Sequence, residues 1–306
     1  KNKIVVQLQS GMQFSLKGID FLKEEAQILS ANRIKAGAKE ISAKAILIAC
    51  GSKPMELPNL KFDGKKIISS DQILNLAEIP RSLLIIGGGV IGCEFASLFS
   101  ALGTQVSIVE LTSQLLPGMD KDIARKLENI YKKKGIKVNT NTDASTLDLS
   151  NYELALLCIG RAPDTQGLGL EKLGLKMEKG KIIVDEYLKT SIDGIYAAGD
   201  STGKIMLAHF AAYQGRIAAE NIAHPDNPQK AQNNTIPSCI FTDPEIAFVG
   251  VSEEEAARRG QNIEAKKYDF LGSGMAKIMD ETDGFIKVTS DSKTKQILGA
   301  SIIGPK

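Results

Sequence analysis

The chain has 306 residues, a formal net charge of +2 and an ordinary apolar content, so its composition favours neither a nucleic-acid partner nor an acidic one. That length is enough for two or three domains with cores of their own. The sequence has no stretch of membrane-span length and no basic-then-apolar signal segment, so we expect no membrane partner.

The first eighty residues predict a small region of helix and strand. Apolar residues recur every four positions at Ile4, Leu8, Met12 and Leu16, which is typical of one face of an amphipathic helix. Short apolar runs predict strands at 19–22, 27–29, 39–41 and 45–49. The serines at 69–70 are typical of a helix N-cap.

The most informative stretch is a glycine-rich segment between an apolar strand and a helix. The strand at 83–86 is apolar throughout, as in a strand buried on both faces of a parallel sheet. Gly87-x-Gly89-x-x-Gly92 follows at once. The first glycine allows a tight turn, the second lets the backbone approach a pyrophosphate, and the third lets the helix pack on the strand. The next strand ends in Glu110, at the spacing of the acid that binds an adenosine ribose, so the segment predicts dinucleotide binding.

Glu110 also bears on which dinucleotide binds. Residues 111–114 contain no arginine to hold a 2′-phosphate, and a carboxylate repels one, so the sequence favours NAD over NADP. For two other residues the sequence leaves two roles open. Glu94 either stabilises the first turn of the helix or hydrogen-bonds the nicotinamide carboxamide. Arg161 is either a surface residue or a cation at the edge of a cofactor.

The remainder of the chain predicts a continued α/β rhythm and then a region of different character. Helices are expected at about 120–134 and 207–222, and strands at 136–139, 154–159, 182–184 and 195–198. Beyond residue 237 the pattern predicts strands at 246–249, 285–289 and 297–303, with one helix near 253–259. That last part is typical of an α+β domain.

The cysteines and histidines predict neither a disulfide framework nor a metal centre. The four cysteines lie far apart without a C-x-x-C pair, which is typical of free thiols in a reducing cytoplasm. They are Cys50, Cys93, Cys158 and Cys239. Only two histidines are available as zinc ligands, so we predict no bound metal. A lone cysteine such as Cys93 is more often a packing residue than a redox group.

A second motif lies at the end of the strand at 195–198. Gly199-Asp200 places a carboxylate at the carboxyl edge of a sheet, where it either binds a polyhydroxyl chain, such as the ribityl group of a flavin, or caps a turn. The helix that begins near Met206 has free N–H groups that suit the reduced pyrimidine edge of a flavin. His209, at the start of that helix, is either an ordinary polar residue or part of the same site.

Five motifs occur in the order seen in pyridine-nucleotide flavoprotein disulfide reductases, and the chain resembles that family throughout. They are Ala-Cys-Gly-Ser-Lys-Pro at 49–54, Gly-Gly-Gly-Val-Ile-Gly-Cys-Glu at 87–94, Ile-Gly-Arg-Ala-Pro at 159–163, Ile-Tyr-Ala-Ala-Gly-Asp at 195–200 and Met-Leu-Ala-His at 206–209. Residues 236–250 resemble the start of the family's interface domain. Within the family, Met-Leu-Ala-His and Glu110 are most similar to dihydrolipoamide dehydrogenase.

The resemblance implies an α/β fold with two doubly wound, Rossmann-like FAD- and NAD-binding domains and the start of an α+β interface domain. It assigns residues 1–80 and 160–236 to the FAD domain, 81–159 to the NAD domain and 237–306 to the interface domain. The residues implied to contact NAD are Gly87, Gly89, Gly92, Glu94, Glu110 and Gly160. Those implied to contact FAD are Cys50, Gly51, Ser52, Asp200, Met206, Leu207, Ala208 and His209.

The resemblance also implies motifs that the sequence does not contain. The family's FAD glycine motif and its C-x-x-x-x-C redox pair belong upstream of Lys1, and its H-x-x-x-x-E acid/base pair belongs downstream of Lys306. We therefore assign no catalytic residue and expect these residues by themselves to be inactive. Residues 141–153 are too few for the antiparallel meander that the family inserts there, either because the meander was lost or because residues are missing from the sequence.

The function implied for the full-length protein is reoxidation of protein-bound dihydrolipoamide, with electrons passing through a redox disulfide and FAD to NAD. The implied partner is the lipoyl-bearing acyltransferase of a 2-oxoacid dehydrogenase complex, and the implied enzyme is a cytoplasmic homodimer. Two alternatives stay open. One is another flavoenzyme of the family, similar to mercuric reductase or NADH oxidase. The other is a non-catalytic module that binds NAD(H).

Overall fold

The computed structural model describes residues 1–144, 147–232 and 235–305. The helices in those ranges are α1 (Asn2–Ser15), α2 (Ser70–Ile73), α3 (Val90–Ala101), α4 (Lys121–Lys133), α5 (Ala208–Ala223), α6 (Glu253–Arg258) and α7 (Gly274–Ile278). The strands are β1 (Ala26–Ser30), β2 (Arg33–Ala36), β3 (Lys39–Ser42), β4 (Ile46–Ile48), β5 (Ser52–Pro54), β6 (Ile67–Ile68), β7 (Ser82–Ile86), β8 (Gln105–Val109), β9 (Lys137–Asn139), β10 (Leu154–Leu157), β11 (Arg161–Pro163), β12 (Met177–Glu178), β13 (Lys181–Ile182), β14 (Ile195–Ala197), β15 (Ser238–Ile240), β16 (Glu245–Gly250), β17 (Ile263–Asp269), β18 (Phe285–Asp291) and β19 (Ile297–Gly304).

A five-stranded parallel sheet lies at the centre of the chain, in the order β6-β10-β7-β8-β9. This sheet together with α3 and α4 is called the parallel unit. The central strand β7 is buried on both faces. Leu83 and Ile85 pack into the cluster that contains α3 and α4, whereas Leu84 and Ile86 pack against apolar residues that include Tyr152. The strand at 83–86, predicted from its apolar run to be buried on both faces, is confirmed.

A second unit is built from two separate stretches of the chain, 26–54 and 161–223, and is called the split unit. Strand β4 pairs in parallel with β14, and β5 pairs antiparallel with β11, so each ladder joins the two stretches. Strands β1, β2 and β3 form an antiparallel sheet, and its Ile28 packs into an apolar cluster with Ile48 of β4 and Ile195 of β14. Helix α5 covers this cluster with Ile217 and Ala218.

The C-terminal part, residues 238–304, is an antiparallel sheet in the order β15-β16-β19-β18-β17 and is called the antiparallel unit. It shares a core with the parallel unit, because Ile246 and Phe285 belong to the same apolar cluster as Leu127 and Ile130 of α4. The predicted change from α/β to α+β character near residue 237 is confirmed.

Two expectations for the first region had different outcomes. The predicted helix is present as α1, and none of its residues is buried. The strand predicted at 19–22 was wrong, because these residues form a bend followed by chain without regular structure, with Ile19 and Phe21 more than half exposed. An apolar run predicts a strand only when a neighbouring strand supplies hydrogen bonds, and none of the described strands pairs with this one.

In the described part of the connection from β9 to β10, a 3₁₀ helix spans Leu149–Asn151, and positions 145 and 146 of this segment lie outside the described residues. In the three described ranges, no helix combines the length and apolar character that a bilayer crossing requires.

Candidate functional site

The glycine loop follows β7 and precedes α3, and close packing fixes two of its glycines. Gly87 has a φ of 110°, and a Cβ there would lie 2.5 Å from the carbonyl oxygen of Cys158. A Cβ on Gly92 would lie 2.0 Å from the carbonyl oxygen of Gly87. Both contacts are impossible for a side chain, so these glycines serve the turn and the close approach of α3 to the strand.

Gly89 differs, because a Cβ built on it would meet no atom within 4 Å. It is the N-cap residue of α3, with a φ of −73° that any residue adopts, and no side chain caps the helix. The first N–H groups of α3 are therefore uncapped and carry a partial positive charge. Free donors beside an uncrowded backbone suit a pyrophosphate group, so the loop fits the dinucleotide predicted for it.

Glu110 lies beneath this loop and is 7% exposed. One carboxylate oxygen accepts a hydrogen bond of 2.7 Å from the Gly88 N–H, and the other accepts one of 2.7 Å from the Thr112 N–H. Each carboxylate oxygen has a second lone pair, so the group keeps acceptor capacity for a ribose hydroxyl. The structure therefore places Glu110 at the loop and gives it a structural task that its position in the sequence did not predict.

Glu94 occupies a different place from the one expected. It is the fifth residue of α3, and the first turn of that helix contains no acidic residue, so the helix-dipole interpretation of Glu94 was wrong. Its carboxylate accepts a hydrogen bond of 2.9 Å from the Phe241 N–H and thus ties α3 to the antiparallel unit. Burial raises the pKa of Glu94, and the bond from Phe241 opposes that shift.

Three residues from three elements meet at the second candidate site. Asp200 follows β14, and its Oδ2 accepts a hydrogen bond of 2.6 Å from the Ser52 hydroxyl. Arg161 donates to the same hydroxyl over 2.8 Å and to the Ser52 carbonyl over 2.6 Å. Arg161 is thus not a free surface residue. Sequence spacing could not reveal this link, because it forms through the β5-β11 ladder across more than a hundred residues.

The surroundings of Asp200 leave room for a ligand. Gly51 has a φ of +73° and open space where a Cβ would project. Cys50 beside it is half-buried, and burial raises its pKa. Gly160, also predicted to bind a cofactor, has a φ of +124° and accepts a hydrogen bond of 3.0 Å from the Met55 N–H. The open space at Gly51 and the spare acceptor capacity of Asp200 fit a polyhydroxyl chain.

Helix α5 begins at Ala208, after Met206 and Leu207, without a side-chain cap, so its first N–H groups are available to a ligand. His209 is exposed, and its Nε2 lies 2.9 Å from the carbonyl oxygen of Pro237. A cavity of about 240 Å³ adjoins this contact and is lined by His209, Phe210, Tyr213, Gln232, Thr235, Ile236 and Pro237. The predicted flavin residues thus occupy two places, around Asp200 and at the start of α5.

No disulfide or metal centre is found in the described ranges. All four cysteines are free. Among the same residues, no three His, Cys, Asp or Glu side chains are grouped so as to hold a metal ion.

The fold and these two places are those expected of a nucleotide-binding oxidoreductase. The chain belongs to the pyridine nucleotide-disulphide oxidoreductase family: the model of that family matches residues 3–215, and the model of its dimerisation domain matches residues 236–306. The recognised family is therefore confirmed, and the dimerisation domain supports the predicted homodimer.

Relatives with known names agree with this family. The chain is 37% identical to a dihydrolipoyl dehydrogenase of Geobacillus stearothermophilus over 332 residues, which cover 100% of this chain and 69% of the relative. It is 36% identical to a dihydrolipoyl dehydrogenase of Bacillus subtilis (strain 168), with 100% of this chain and 71% of the relative covered.

Solved structures give the same result. The HOCl-induced flavoprotein disulfide reductase RclA from Escherichia coli superposes with a TM-score of 0.90 at 28% identity, covering 100% of this chain and 74% of that one. LpdA from Mycobacterium tuberculosis gives a TM-score of 0.82 at 30% identity, covering 92% and 66%. Together with the family match, these likenesses confirm the predicted fold class and the predicted cofactors, FAD and NAD.

Proposed function

We propose that NAD binds over the glycine loop of the parallel unit, with its pyrophosphate at the N-terminus of α3 and its adenosine ribose on Glu110. The open space above Gly89 supports this proposal most directly, because it leaves the free N–H groups of α3 accessible. The residues assigned to NAD are Gly87, Gly89, Gly92, Glu94, Glu110 and Gly160. We assign residues 81–159 to this domain.

FAD is assigned to the split unit, in the domain formed by residues 1–80 and 160–236. The hydrogen bond from Ser52 orients the Asp200 carboxylate, which supports its role as acceptor for the ribityl chain. The uncapped start of α5 supports a binding place for the electron-rich edge of the flavin. The residues assigned to FAD are Cys50, Gly51, Ser52, Asp200, Met206, Leu207, Ala208 and His209. Residues 237–306 are assigned to the interface domain.

The reaction proposed for the full-length protein is oxidation of dihydrolipoamide by NAD. Two thiols lose two electrons and two protons and form one disulfide, while NAD takes up two electrons and one proton and the second proton is released. A redox disulfide that is not among these residues and FAD carry the electrons between the two. Two relatives named dihydrolipoyl dehydrogenase, each aligned over the whole chain, support this substrate.

A substrate assay on purified full-length protein tests the reaction. With dihydrolipoamide and NAD, we expect NADH to form at a rate proportional to enzyme, with NADP far less effective. Mercuric ion and oxygen, each offered with NADH, are the matched alternatives. The likeness to RclA favours a disulfide reductase with another substrate as the second candidate, and activity confined to one of these alternatives would replace the lipoamide assignment.

The partner we propose is a lipoyl-bearing acyltransferase of a 2-oxoacid dehydrogenase complex, since that protein would carry the dihydrolipoyl group. We propose that the protein with this sequence lies in the cytoplasm, because its four free thiols suit a reducing compartment. Co-purification of the full-length protein with a lipoylated protein, detected by an antibody to the lipoyl group, tests the partner. Recovery without any lipoylated protein contradicts it.

A further inference from the structure

Two buried cysteines adjoin the glycine loop and are outside the set of residues assigned to either cofactor. Cys93 is the fourth residue of α3 and is fully buried. Cys158 follows β10 and is 6% exposed. Both are free thiols, and they reach the loop from two different elements of the parallel unit.

Each thiol contacts a carbonyl oxygen of the loop. Cys93 donates a hydrogen bond to the carbonyl oxygen of Gly88, with Sγ and O 3.3 Å apart. Cys158 Sγ lies 3.4 Å from the carbonyl oxygen of Gly87 and 3.5 Å from that of Ile86. A thiol thus contacts the oxygen of each of the first two peptide groups of the loop, and the Gly88 oxygen also accepts a hydrogen bond of 2.7 Å from the Leu116 N–H.

Because peptide groups are planar, these contacts also fix the directions of the loop's N–H groups. A carbonyl oxygen and the N–H of the following residue point in opposite directions in one rigid plane. Holding the Gly88 oxygen therefore directs the Gly89 N–H away from Cys93, and holding the Gly87 oxygen directs the Gly88 N–H away from Cys158. The Gly88 N–H is then placed to donate to Glu110.

The surroundings of both thiols keep them protonated, as a donor must be. Burial raises the pKa of Cys158 to about 12, and the charge of Glu110 adds to that shift. Burial, followed by the proximity of Cys158 and Glu110, raises the pKa of Cys93 further. Neither thiol is therefore suited to act as a nucleophile near neutral pH.

We infer that Cys93 and Cys158 are positioning residues of the dinucleotide site, whose S–H groups orient the peptide planes of Gly87 and Gly88 so that the Gly88 N–H stays on Glu110 and the Gly89 N–H is left for the pyrophosphate. This inference rests on the proposed binding of NAD at the loop. It gives these two cysteines a role in nucleotide affinity that differs from packing and from redox chemistry.

The test is an NADH titration of the full-length protein and of paired variants. Cys93→Val and Cys158→Val keep an apolar side chain of similar size without a donor, whereas Cys93→Ser and Cys158→Ser keep a donor. One hydrogen bond contributes about fivefold in affinity, so each valine variant is expected to raise the Kd for NADH by about that factor. The serine variants and Cys239→Val, which changes an exposed cysteine, are expected to bind NADH like the wild type.

The melting temperature and the ratio of flavin to protein absorbance are measured in the same samples. A packing role would lower the melting temperature in both kinds of variant and leave the Kd for NADH unchanged, and that result would overturn the inference. Equal loss of affinity in the valine and serine variants would overturn it as well. If the wild-type protein does not bind NADH, the failure lies with the proposed function instead.

Discussion

Glu110 shows how one side chain can combine a structural and a recognition role. Its two oxygens hold the N–H groups of Gly88 and Thr112, so the carboxylate fixes the loop on which the nucleotide rests. Any substitution that changes cofactor preference must therefore also preserve an acceptor for the loop.

We predict that Glu110→Gln combined with Thr112→Arg shifts preference from NADH toward NADPH. The amide oxygen keeps one acceptor, the repulsive charge is gone, and the arginine offers a partner for the 2′-phosphate. Glu110→Ala is the matched comparison, and it should weaken the binding of both nucleotides because the N–H groups of Gly88 and Thr112 lose their acceptor. Parallel Kd titrations with NADH and NADPH measure both effects, and an unchanged ratio in the double variant would show that Glu110 does not face the ribose.

The buried thiols predict how stability depends on pH. In the unfolded chain Cys158 loses its proton near its ordinary pKa of 9.0, whereas in the folded protein it keeps the proton to about 12. The unfolded state therefore binds fewer protons above pH 9, and the free energy of unfolding falls as pH rises, by about 1.4 kcal/mol per pH unit for one thiol. In urea titrations between pH 9 and 11, Cys158→Val should make the free energy of unfolding fall less steeply with pH than in the wild type. An identical slope in the variant would contradict the raised pKa of Cys158.

At the scale of elements, a charged cluster joins α4 to the antiparallel unit. Lys287 on β18 is buried, and its Nζ lies 2.9 Å from Asp120, 3.0 Å from Asp122 and 2.7 Å from Glu253. Asp120 also caps α4, because its carboxylate accepts hydrogen bonds from two N–H groups of the first turn. The start of α4 is thus held by a cation from another sheet.

Replacing Lys287 with Met should destabilise the protein by about 3 kcal/mol, because a buried carboxylate loses its counter-charge. The matched control is Lys133→Met, which removes an exposed pair with Asp283 that also joins α4 to the antiparallel unit. An exposed pair contributes less than about 1 kcal/mol. Denaturant unfolding of the full-length variants gives both values, and equal losses would contradict the special role of Lys287.

The elements that the sequence predicted correctly are those whose signal is local. The apolar run before Gly87 and the capping serine at Ser69 depend on neighbours in the chain, and both have the expected structure. The strand expected at 19–22 was wrong, and strand β17 was missed, because the pairing of a strand depends on a distant partner. For β17 the partner is β18, and the exposed, mostly polar sequence of this edge strand carries little apolar alternation.

The same limit applies to the candidate site. The glycines and Glu110 could be predicted because their spacing along the chain carries the geometry. The thiol contacts of Cys93 and Cys158 and the link from Arg161 to Ser52 could not, since they join side chains and backbone that meet only after the sheets have formed. Glu94 was placed in the first turn of the helix, but it is the fifth residue of α3 and lies just beyond that turn.

At the scale of the whole molecule, the parallel and antiparallel units pack on one another. They share an apolar cluster, and Glu94 and Lys287 add polar links between them. The family's dimerisation domain is therefore anchored on the same core that supports the glycine loop.

The central claim is that the glycine loop binds NAD within a flavoprotein, and Gly89→Ala tests this claim most directly. A methyl group at Gly89 meets no protein atom and fits the backbone, so it should obstruct only a nucleotide. Gly215→Ala, another position with open space, is the control. The measurement is anaerobic bleaching of the flavin absorbance of full-length protein by NADH. We predict bleaching in the wild type and in Gly215→Ala, and at least about tenfold weaker NADH dependence in Gly89→Ala at an unchanged melting temperature. Equal NADH dependence in all three proteins would contradict the account.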